Sequence, residues 1–433
     1  MAQYIELGRA LETKNSAMEI GIISKKNSRK IYNLLLIFAF LFVSLSGCGP
    51  QTTVTIVNPY ENVDWETFGR FKAALHVHST NSDGDHTVSE MIERHYELGF
   101  DIVTITDHNY LTRSWDQTRY EPERVRPRIP VTLARRLEIE AGVGRDGRGM
   151  IGIDNTNEHS RVDHVNSFFV DFNNEPGQTL EDVISIVADM GGISRLNHPG
   201  RYTGARQFIE NYDFEGAVAV SRNPAQVQRY VDLFMTFPSC VGMEIINKLD
   251  FESVADRVLW DEILMQTMPQ NRPVWGFADD DSHSKMAVGF AWNVFLMPSL
   301  NQDNFRTVME TGAFYAVSRV SRLDNINATL PDGSITPWDA RSESRFDLTS
   351  FMLSQSTPSI VNIEVDERRG TITISGADYD IIEWIADGVV IATGGTLRLL
   401  DYQENINSYV RAQLKSSTGI AFTQPFGVSI TSP

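Results

Sequence analysis

Histidine and aspartate recur in this sequence in pairs whose spacing suits metal binding. His76 and His78 stand two residues apart after a short apolar run, and Asp281 and His283 repeat that spacing late in the chain. Side chains two apart on a strand point to the same face, so both members of a pair can reach one ion. Imidazole and carboxylate ligands without thiolate suit zinc, manganese or iron. The two pairs therefore predict a site for divalent cations.

Further candidate ligands lie beside other apolar runs. Asp83 stands in a glycine-closed turn that can direct its carboxylate back towards the first pair, and His108 and His198 each follow a short apolar run. Any one of them is a weak indication, because most histidines and aspartates are solvated or hydrogen-bonded. Their recurrence in separate loops is stronger, since a divalent ion needs ligands that converge from several elements.

The elements that must position these ligands alternate between strand and helix over residues 71–320. Strands are predicted at residues 72–77, 102–106, 164–170, 193–197, 241–246, 274–278 and 313–317, and helices at 88–98, 180–190, 252–266 and 304–310. This alternation predicts a parallel α/β architecture, open or closed into a barrel. In a barrel, functional groups lie at the carboxyl ends of the strands, which is where most of the candidate ligands fall.

Residues 321–433 have a different pattern. A polar stretch up to residue 350 is followed by short alternating segments, and Asp387-Gly388 between two of them is a hairpin signal. The pattern predicts a small antiparallel β-sandwich as a separate C-terminal domain. It contains no candidate metal or nucleophile cluster.

The N-terminus is predicted to be a targeting segment. Residues 25–30 are largely basic, residues 31–43 are almost entirely apolar, and Leu45-Ser46-Gly47-Cys48 follows. This order is typical of a secretory signal, and the apolar run is shorter than the about 20 residues of a membrane-spanning helix. An uncleaved short anchor helix is the alternative interpretation.

Leu-Ser-Gly-Cys after such a run resembles the bacterial lipobox, in which the cysteine carries lipid. We therefore expect residues 1–48 to be a signal peptide ending in the lipobox Cys48, residues 49–70 to be a tether, and the protein to be secreted and lipid-anchored to a bacterial cell membrane.

Charge and composition exclude several classes of function. The formal net charge of −18 argues against nucleic-acid binding by surface charge, although bound cations would still allow a small anionic substrate. The two cysteines, Cys48 and Cys240, do not indicate a disulfide framework. The sequence has no Gly-x-Ser-x-Gly motif, which argues against a serine nucleophile of that type.

Four motifs together resemble one enzyme family in their order and spacing. They are His76-Val77-His78 with Asp83-Gly84, Ile105-Thr106-Asp107-His108, Asn197-His198-Pro199 and Asp281-Ser282-His283. In these the chain resembles the PHP (polymerase and histidinol phosphatase) metallohydrolases, most closely a secreted branch with an appended β domain. The resemblance implies a distorted (β/α)7 barrel with two or three divalent metal ions, which would be zinc, manganese or iron.

The resemblance also implies a set of metal ligands, in which a glutamate bridges two ions. The implied ligands are His76, His78, Asp83, His108, Glu138, His164, His198, Asp281 and His283. Glu140 is the alternative to Glu138, and His159 is the alternative to His164. Arg201 could clamp an anionic group of the substrate, and a surface role is an equal alternative. The catalytic candidates are His76, His78, Asp281, His283 and Arg201.

The activity that the resemblance implies is hydrolysis of a small-molecule phosphoester by metal-activated water. Two alternatives stay open at this point. One is hydrolysis of a carboxyl ester or carbamate by the same fold. The other is a cell-surface module that binds glycan or protein and has a non-catalytic metal site.

Overall fold

The computed structural model describes residues 52–211, 213–248, 253–319, 327–329, 335–337 and 353–431. The predicted signal peptide and Cys48 lie outside these residues. Within the described part of the chain, no helix has the length and apolar character needed to cross a membrane.

The strands and helices follow one another in chain order. The strands are β1 (Thr53–Val57), β2 (Gly69–Ala74), β3 (Ile102–Val103), β4 (Ile151–Gly152), β5 (Asn157–His159), β6 (Val165–Phe168), β7 (Ile193–Leu196), β8 (Cys240–Asn247), β9 (Trp275–Asp279), β10 (Ala291–Met297), β11 (Phe314–Ser318), β12 (Asn327–Thr329), β13 (Ile335–Pro337), β14 (Ser359–Asp366), β15 (Thr371–Ala377), β16 (Ile381–Ala386), β17 (Val389–Thr393), β18 (Thr396–Arg398), β19 (Tyr409–Ser416), β20 (Gly419–Phe422) and β21 (Phe426–Thr431). The α-helices are α1 (Val88–Glu97), α2 (Leu133–Glu140), α3 (Leu180–Asp189), α4 (Arg206–Glu210), α5 (Phe214–Ser221), α6 (Pro224–Thr236), α7 (Ser253–Thr267) and α8 (Gln302–Thr311). Short 3₁₀ segments cover Pro199–Thr203, Met268–Gln270, Lys285–Ala287 and Leu399–Asn405.

Two sheets carry the α/β part of the chain. One has the order β5-β6-β7-β8-β9 and is parallel from β7 to β9. The other contains β11-β10-β2-β3-β4, in which β2, β3 and β4 are parallel. Strand pairing within the described residues does not close the sheets into a barrel. The mixed α/β class is therefore confirmed, and the (β/α)7 barrel stays a prediction.

The C-terminal strands form a sheet region that continues from the α/β part. β20 pairs with β11, β19 pairs with β20, and β21 pairs with both β19 and β1. Residues 49–70 are predicted above as a tether, and the structure corrects this for Thr53–Val57. Val54 and Ile56 alternate with exposed residues and are buried in the core, which is the pattern of a half-buried strand.

Local sequence explains where the main helices begin and end. Thr87 caps α1, and the Glu90 side chain accepts the Thr87 N–H in return, which is a capping box. Thr179 and Asp182 form the same device at the start of α3. α3 ends just before Gly191, whose φ of 75° is the left-handed conformation that glycine adopts at little cost.

Two buried side-chain amides join β9 to its neighbours on the edge that does not face β8. Asn293 on β10 accepts the N–H of Ala278 at 3.0 Å and donates to its carbonyl at 2.8 Å. Gln424, between β20 and β21, makes the same pair of bonds with Gly276 at 2.8 and 2.9 Å. Buried backbone groups need hydrogen-bond partners. Each side-chain amide supplies them to a residue of β9, in place of the peptide group of a neighbouring strand.

We predict that Gln424→Leu destabilises the protein. The substitution keeps the volume but leaves the buried N–H and carbonyl of Gly276 without partners, which costs about 2–4 kcal/mol. Urea unfolding should show this loss. Gln413→Leu is the matched control, because Gln413 is only partly buried and its amide donates to Glu383 alone. Equal unfolding midpoints for the two variants would contradict the prediction.

Candidate metal centre

The structure brings eight of the nine predicted ligands into one cluster, together with a glutamate that was not predicted. The eight are His76, His78, Asp83, His108, His164, His198, Asp281 and His283, and the glutamate is Glu158. His76, His78, Glu158 and His198 are fully buried, whereas about half of the Asp83 side chain is exposed. The cluster is therefore deep at one end and open to solvent at the other.

The two pairs with i, i+2 spacing lie side by side. His78 donates its backbone N–H to the Ser282 carbonyl at 2.9 Å, and Val77 and Ser282 form a parallel bridge. The extended segments after β2 and β9 thus run alongside each other beyond the ends of the sheets. Since alternate residues share a face, His76 and His78 meet Asp281 and His283 there. The two pairs thus lie on facing segments, close enough to share an ion.

The remaining ligands come from neighbouring strands. His108 follows β3, His164 immediately precedes β6, and His198 follows β7. Glu158 lies in β5, forms a bridge with His108, and accepts the backbone N–H of Asn109 at 2.8 Å. The cluster therefore draws ligands from both sheets.

The ligand atoms fall into four overlapping groups, each compact enough to surround one ion. The groups are His78, Asp83, His108 and His283; His76, His198 and Asp281; His76, His78 and Glu158; and His108, Glu158 and His164. His76, His78, His108 and Glu158 each belong to two groups. Shared ligands of this kind suit a centre with more than one ion.

The atoms that face the middle of the cluster are buried and lack hydrogen-bond partners. Among them are Nε2 of His76 and His78, Nδ1 of His108 and His164, Oε2 of Glu158 and Oδ1 of Asp281. Unpaired buried polar atoms are rare in folded proteins, because each costs free energy.

These unpaired atoms nevertheless lie close together. Glu158 Oε2 is 2.7 Å from His108 Nδ1, and Asp281 Oδ1 is 3.0 Å from His78 Nε2. Two ligands that bind one ion at about 2.1 Å are themselves about 3 Å apart at tetrahedral or octahedral angles. Close, unpaired and convergent donor atoms are what divalent cations require, so the residues fit such ions.

Glu244 supports the deep end of the cluster. Its Oε1 is 2.7 Å from Nδ1 of His76, which leaves Nε2 of that ring for an ion. Its Oε2 accepts the backbone N–H of His198 at 2.9 Å, and Arg195 lies 3.2 Å from Oε1. A carboxylate in this position fixes the orientation and tautomer of a ligating imidazole. Glu244 was missed because it lies inside an apolar run that indicates only a buried strand.

Asp107 holds the turn that carries Asp83. Its carboxylate accepts the backbone N–H of Ser79 at 2.7 Å and the hydroxyl of Ser82 at 2.7 Å. These bonds fold residues 79–83 back towards His78.

The carboxylates and imidazoles of the cluster shift one another's pKa. Burial raises the pKa of Glu158, but His76 and His164 outweigh it and hold that pKa well below its ordinary range. Burial lowers the pKa of His108, but the carboxylates of Asp83 and Glu158 outweigh it and raise that pKa to about 10. The carboxylates thus favour positive charge in the cluster, whether it comes from protons or from cations.

Glu138 lies outside the cluster, which corrects the sequence prediction. Residues 133–140 form helix α2, and Glu138 pairs with Arg135 at 3.0 Å on its exposed face. Glu140, the alternative, pairs with Arg136 at 2.7 Å and is also outside the cluster. The carboxylate among the imidazoles is Glu158. No apolar run marks it in the sequence, because β5 has only three residues.

Of the two alternatives for the remaining histidine, the structure places His164 in the cluster. His159 is buried elsewhere, with Nε2 2.8 Å from the Ser167 hydroxyl. The last candidate, Arg201, follows His198 in the 3₁₀ segment Pro199–Thr203. Burial and the nearby charge of Arg201 hold the pKa of His198 well below its ordinary value. Its imidazole is thereby kept neutral, as a ligand must be.

One positively charged side chain beside the cluster, that of Lys248, was not predicted from the sequence. Nζ of Lys248 is 2.9 Å from Oδ2 of Asp281, and its side chain is partly exposed. Lys248 follows β8 directly, but a single lysine after a strand has no distinguishing sequence signal.

Comparison with known proteins identifies the class of domain. Residues 74–213 match the model of the PHP domain. This range contains every ligand of the cluster except Asp281 and His283. No curated protein matches the chain.

Three solved structures are similar to this chain at low sequence identity. A two-domain protein containing a predicted PHP-like metal-dependent phosphoesterase, from Bacteroides vulgatus ATCC 8482, is 13% identical, with 89% of this chain and 92% of that chain covered and a TM-score of 0.39. An amidohydrolase from Chromobacterium violaceum is 14% identical, with coverages of 49% and 87% and a TM-score of 0.27. A lesion-specific endonuclease from Pyrococcus furiosus is 13% identical, with coverages of 65% and 66% and a TM-score of 0.33.

We predict that Glu158→Gln lowers the metal content of the purified protein and that Glu138→Gln does not. The first substitution removes a buried negative charge that lies within 4.0 Å of five imidazoles, whereas the second removes an exposed charge on α2. Elemental analysis after dialysis against a metal-buffered solution measures the difference. Loss of metal in Glu138→Gln with full metal in Glu158→Gln would reverse the assignment.

Proposed function

We propose that the protein is a metal-dependent hydrolase that cleaves phosphoric esters at a centre of two or three divalent cations. The observation that carries this proposal is the cluster itself. It contains buried, convergent imidazole and carboxylate atoms that lack hydrogen-bond partners.

The ions would supply the chemistry that the side chains lack, since bound cations lower the pKa of water towards neutrality and polarise the scissile group. The side chains would bind the ions and orient the substrate. His76, His198 and Asp281 are buried and exclude solvent at the deep end. Asp83 and His283 lie at the open end, where substrate would enter.

Two positively charged side chains beside the cluster favour an anionic substrate. Lys248 pairs with Asp281 and is partly exposed, and Arg201 is close enough to depress the pKa of His198. Positive side chains beside a metal cluster attract and orient phosphate. This supports a phosphoester over a carboxyl ester or carbamate, and a small molecule over nucleic acid in a chain of net charge −18.

The first experiment measures metal content and hydrolysis together, on protein that begins after Cys48. The panel contains a chromogenic phosphomonoester, a phosphodiester and a carboxylic ester. Two or three equivalents of zinc, manganese or iron, with phosphoester turnover that a chelator abolishes and added metal restores, are expected. Turnover of the carboxylic ester alone would replace the phosphoester proposal. Less than one equivalent, unrestored by added metal and without turnover, would favour the binding module.

We predict that His78→Ala and Asp281→Ala each abolish turnover while the protein stays folded. Each substitution removes a ligand that belongs to the deep part of the cluster, and neither side chain belongs to an apolar core cluster. Steady-state kinetics on the active substrate and far-ultraviolet circular dichroism measure the two effects. Glu138→Gln is the control and should keep wild-type kinetics. Full activity in either alanine variant would refute the assignment.

We further propose that the protein is secreted and held on a bacterial membrane by lipid on Cys48. The order of basic, apolar and small residues before Cys48 supports this.

The prediction is that Cys48→Ser, expressed from the full-length chain, moves from the detergent phase to the aqueous phase in phase partitioning. Cys240→Ala is the control and should partition like the wild type, because Cys240 is buried in β8 and cannot carry the anchor. Retention of Cys48→Ser in the detergent phase would sink the proposal.

A further inference from the structure

We infer that the C-terminal sheet region positions the candidate metal ligand His198 through helix α7. Arg411 and Tyr409 of β19 hold Asp261 in the middle of α7, and Asp256 near its start holds the loop that carries His198. The inference rests on the metal centre of the proposed function, but not on which ester is cleaved.

The contact between β19 and α7 is fixed by three hydrogen bonds to one carboxylate. Oδ1 of Asp261 accepts from the Tyr409 hydroxyl and from Nε of Arg411, both at 2.8 Å. Oδ2 accepts from Nη2 of Arg411 at 2.7 Å. All three side chains are buried. A buried, two-pronged arginine–carboxylate pair has a narrow range of geometries, so it fixes the helix relative to the strand.

The first turn of the same helix contacts the loop after β7 directly. Oδ1 of the fully buried Asp256 accepts the backbone N–H of Gly200 at 2.6 Å. The loop lies so close to the helix that a Cβ atom at Gly200 would stand 2.8 Å from the Cβ of Ala255. A small shift of α7 must therefore move the loop.

His198 depends on such support, because its backbone is in a costly conformation. Its φ of 34° and ψ of 52° lie in the left-handed region, which residues other than glycine adopt only when their surroundings impose it. Glu244 holds its N–H, and the Tyr230 hydroxyl lies 3.3 Å from the Pro199 carbonyl. These two contacts come from β8 and α6. Asp256 adds a third contact, and it belongs to α7, the helix that β19 of the C-terminal region holds.

A second contact from the C-terminal region supports the same candidate ion. Gln424 holds Gly276 on β9, the strand that leads to Asp281. Asp281 and His198 are grouped with His76 around one possible ion position. Two of the three ligands in this group are thus supported by C-terminal residues, which predicts that the region affects one ion more than the others.

The test is the metal affinity of Arg411→Met, measured as equivalents bound across a series of buffered free zinc concentrations. We expect one equivalent to bind about 10–100-fold more weakly, as when a residue that supports a ligand is lost, and the others to stay as in the wild type. Arg411→Lys should recover part of the affinity. Asp256→Ala should weaken the same equivalent, and the double variant should lose little more, because both changes act through α7.

Lys415→Met is the matched control, because Lys415 lies on the same strand and pairs with Glu383 instead of α7. It should bind zinc like the wild type. Should Arg411→Met not fold, Tyr409→Phe removes a single hydrogen bond and should weaken the same equivalent to a smaller degree.

A folded Arg411→Met protein with wild-type affinity for every equivalent would overturn the inference. Equal weakening of all equivalents, in step with loss of folded protein on thermal unfolding without metal, would also overturn it. Metal counting needs no substrate. A wild type that binds its full set of ions but cleaves no ester would therefore refute the proposed activity and leave this inference standing.

Discussion

The burial of several carboxylates among imidazoles is the constraint on which the rest of this structure depends. Glu158, Glu244 and Asp281 are all nearly inaccessible to water, and an isolated buried carboxylate is too costly to keep ionised. Here Glu158 and Asp281 each lie against several histidine rings, whereas Glu244 contacts the ring of His76. The buried Arg195 donates to Glu244 and contacts Asp279. This concentration of negative charge is tolerated because imidazole N–H groups and arginine supply the opposite sign, to which bound cations would add.

The sequence was most informative where ligands are close together in the chain. The i, i+2 spacing of His76 with His78 and of Asp281 with His283 follows from strand geometry, and the structure pairs these two segments directly. The glutamate of the cluster, Glu158, was harder to predict, because it lies in a three-residue strand that the sequence does not indicate. The resemblance pointed to Glu138 because it has an apolar residue on each side. That segment is a helix capped by Thr132, with Ile139 as its buried residue.

Long-range pairing explains the other differences between prediction and structure. β1 looks like part of a polar tether because its partner, β21, lies at the other end of the described chain. The C-terminal region looks like a separate domain because its strands alternate regularly, and nothing local indicates that β20 pairs with β11. Composition and periodicity indicate which face of a strand is buried, but they do not indicate which strand it pairs with. The mixed α/β character of residues 71–320 and the β-strands after them were therefore predictable, and the pairing that connects them was not.

The way the two sheets meet would couple metal binding at the candidate centre to the stability of the fold. Along β9 the sheets are joined by the amides of Asn293 and Gln424, and beyond the strand ends they meet through the ligand cluster. His78 extends from the sheet that contains β2, whereas Glu158 belongs to the sheet that contains β5. An ion bound by both would link the sheets beside the two isolated backbone bridges, Val77 with Ser282 and His108 with Glu158, that already join them there. Because such an ion binds the folded chain and not the unfolded one, its binding free energy also stabilises the contact between the sheets. The arrangement that gathers the candidate ligands is thus the same one through which a bound ion would add to the stability of the fold.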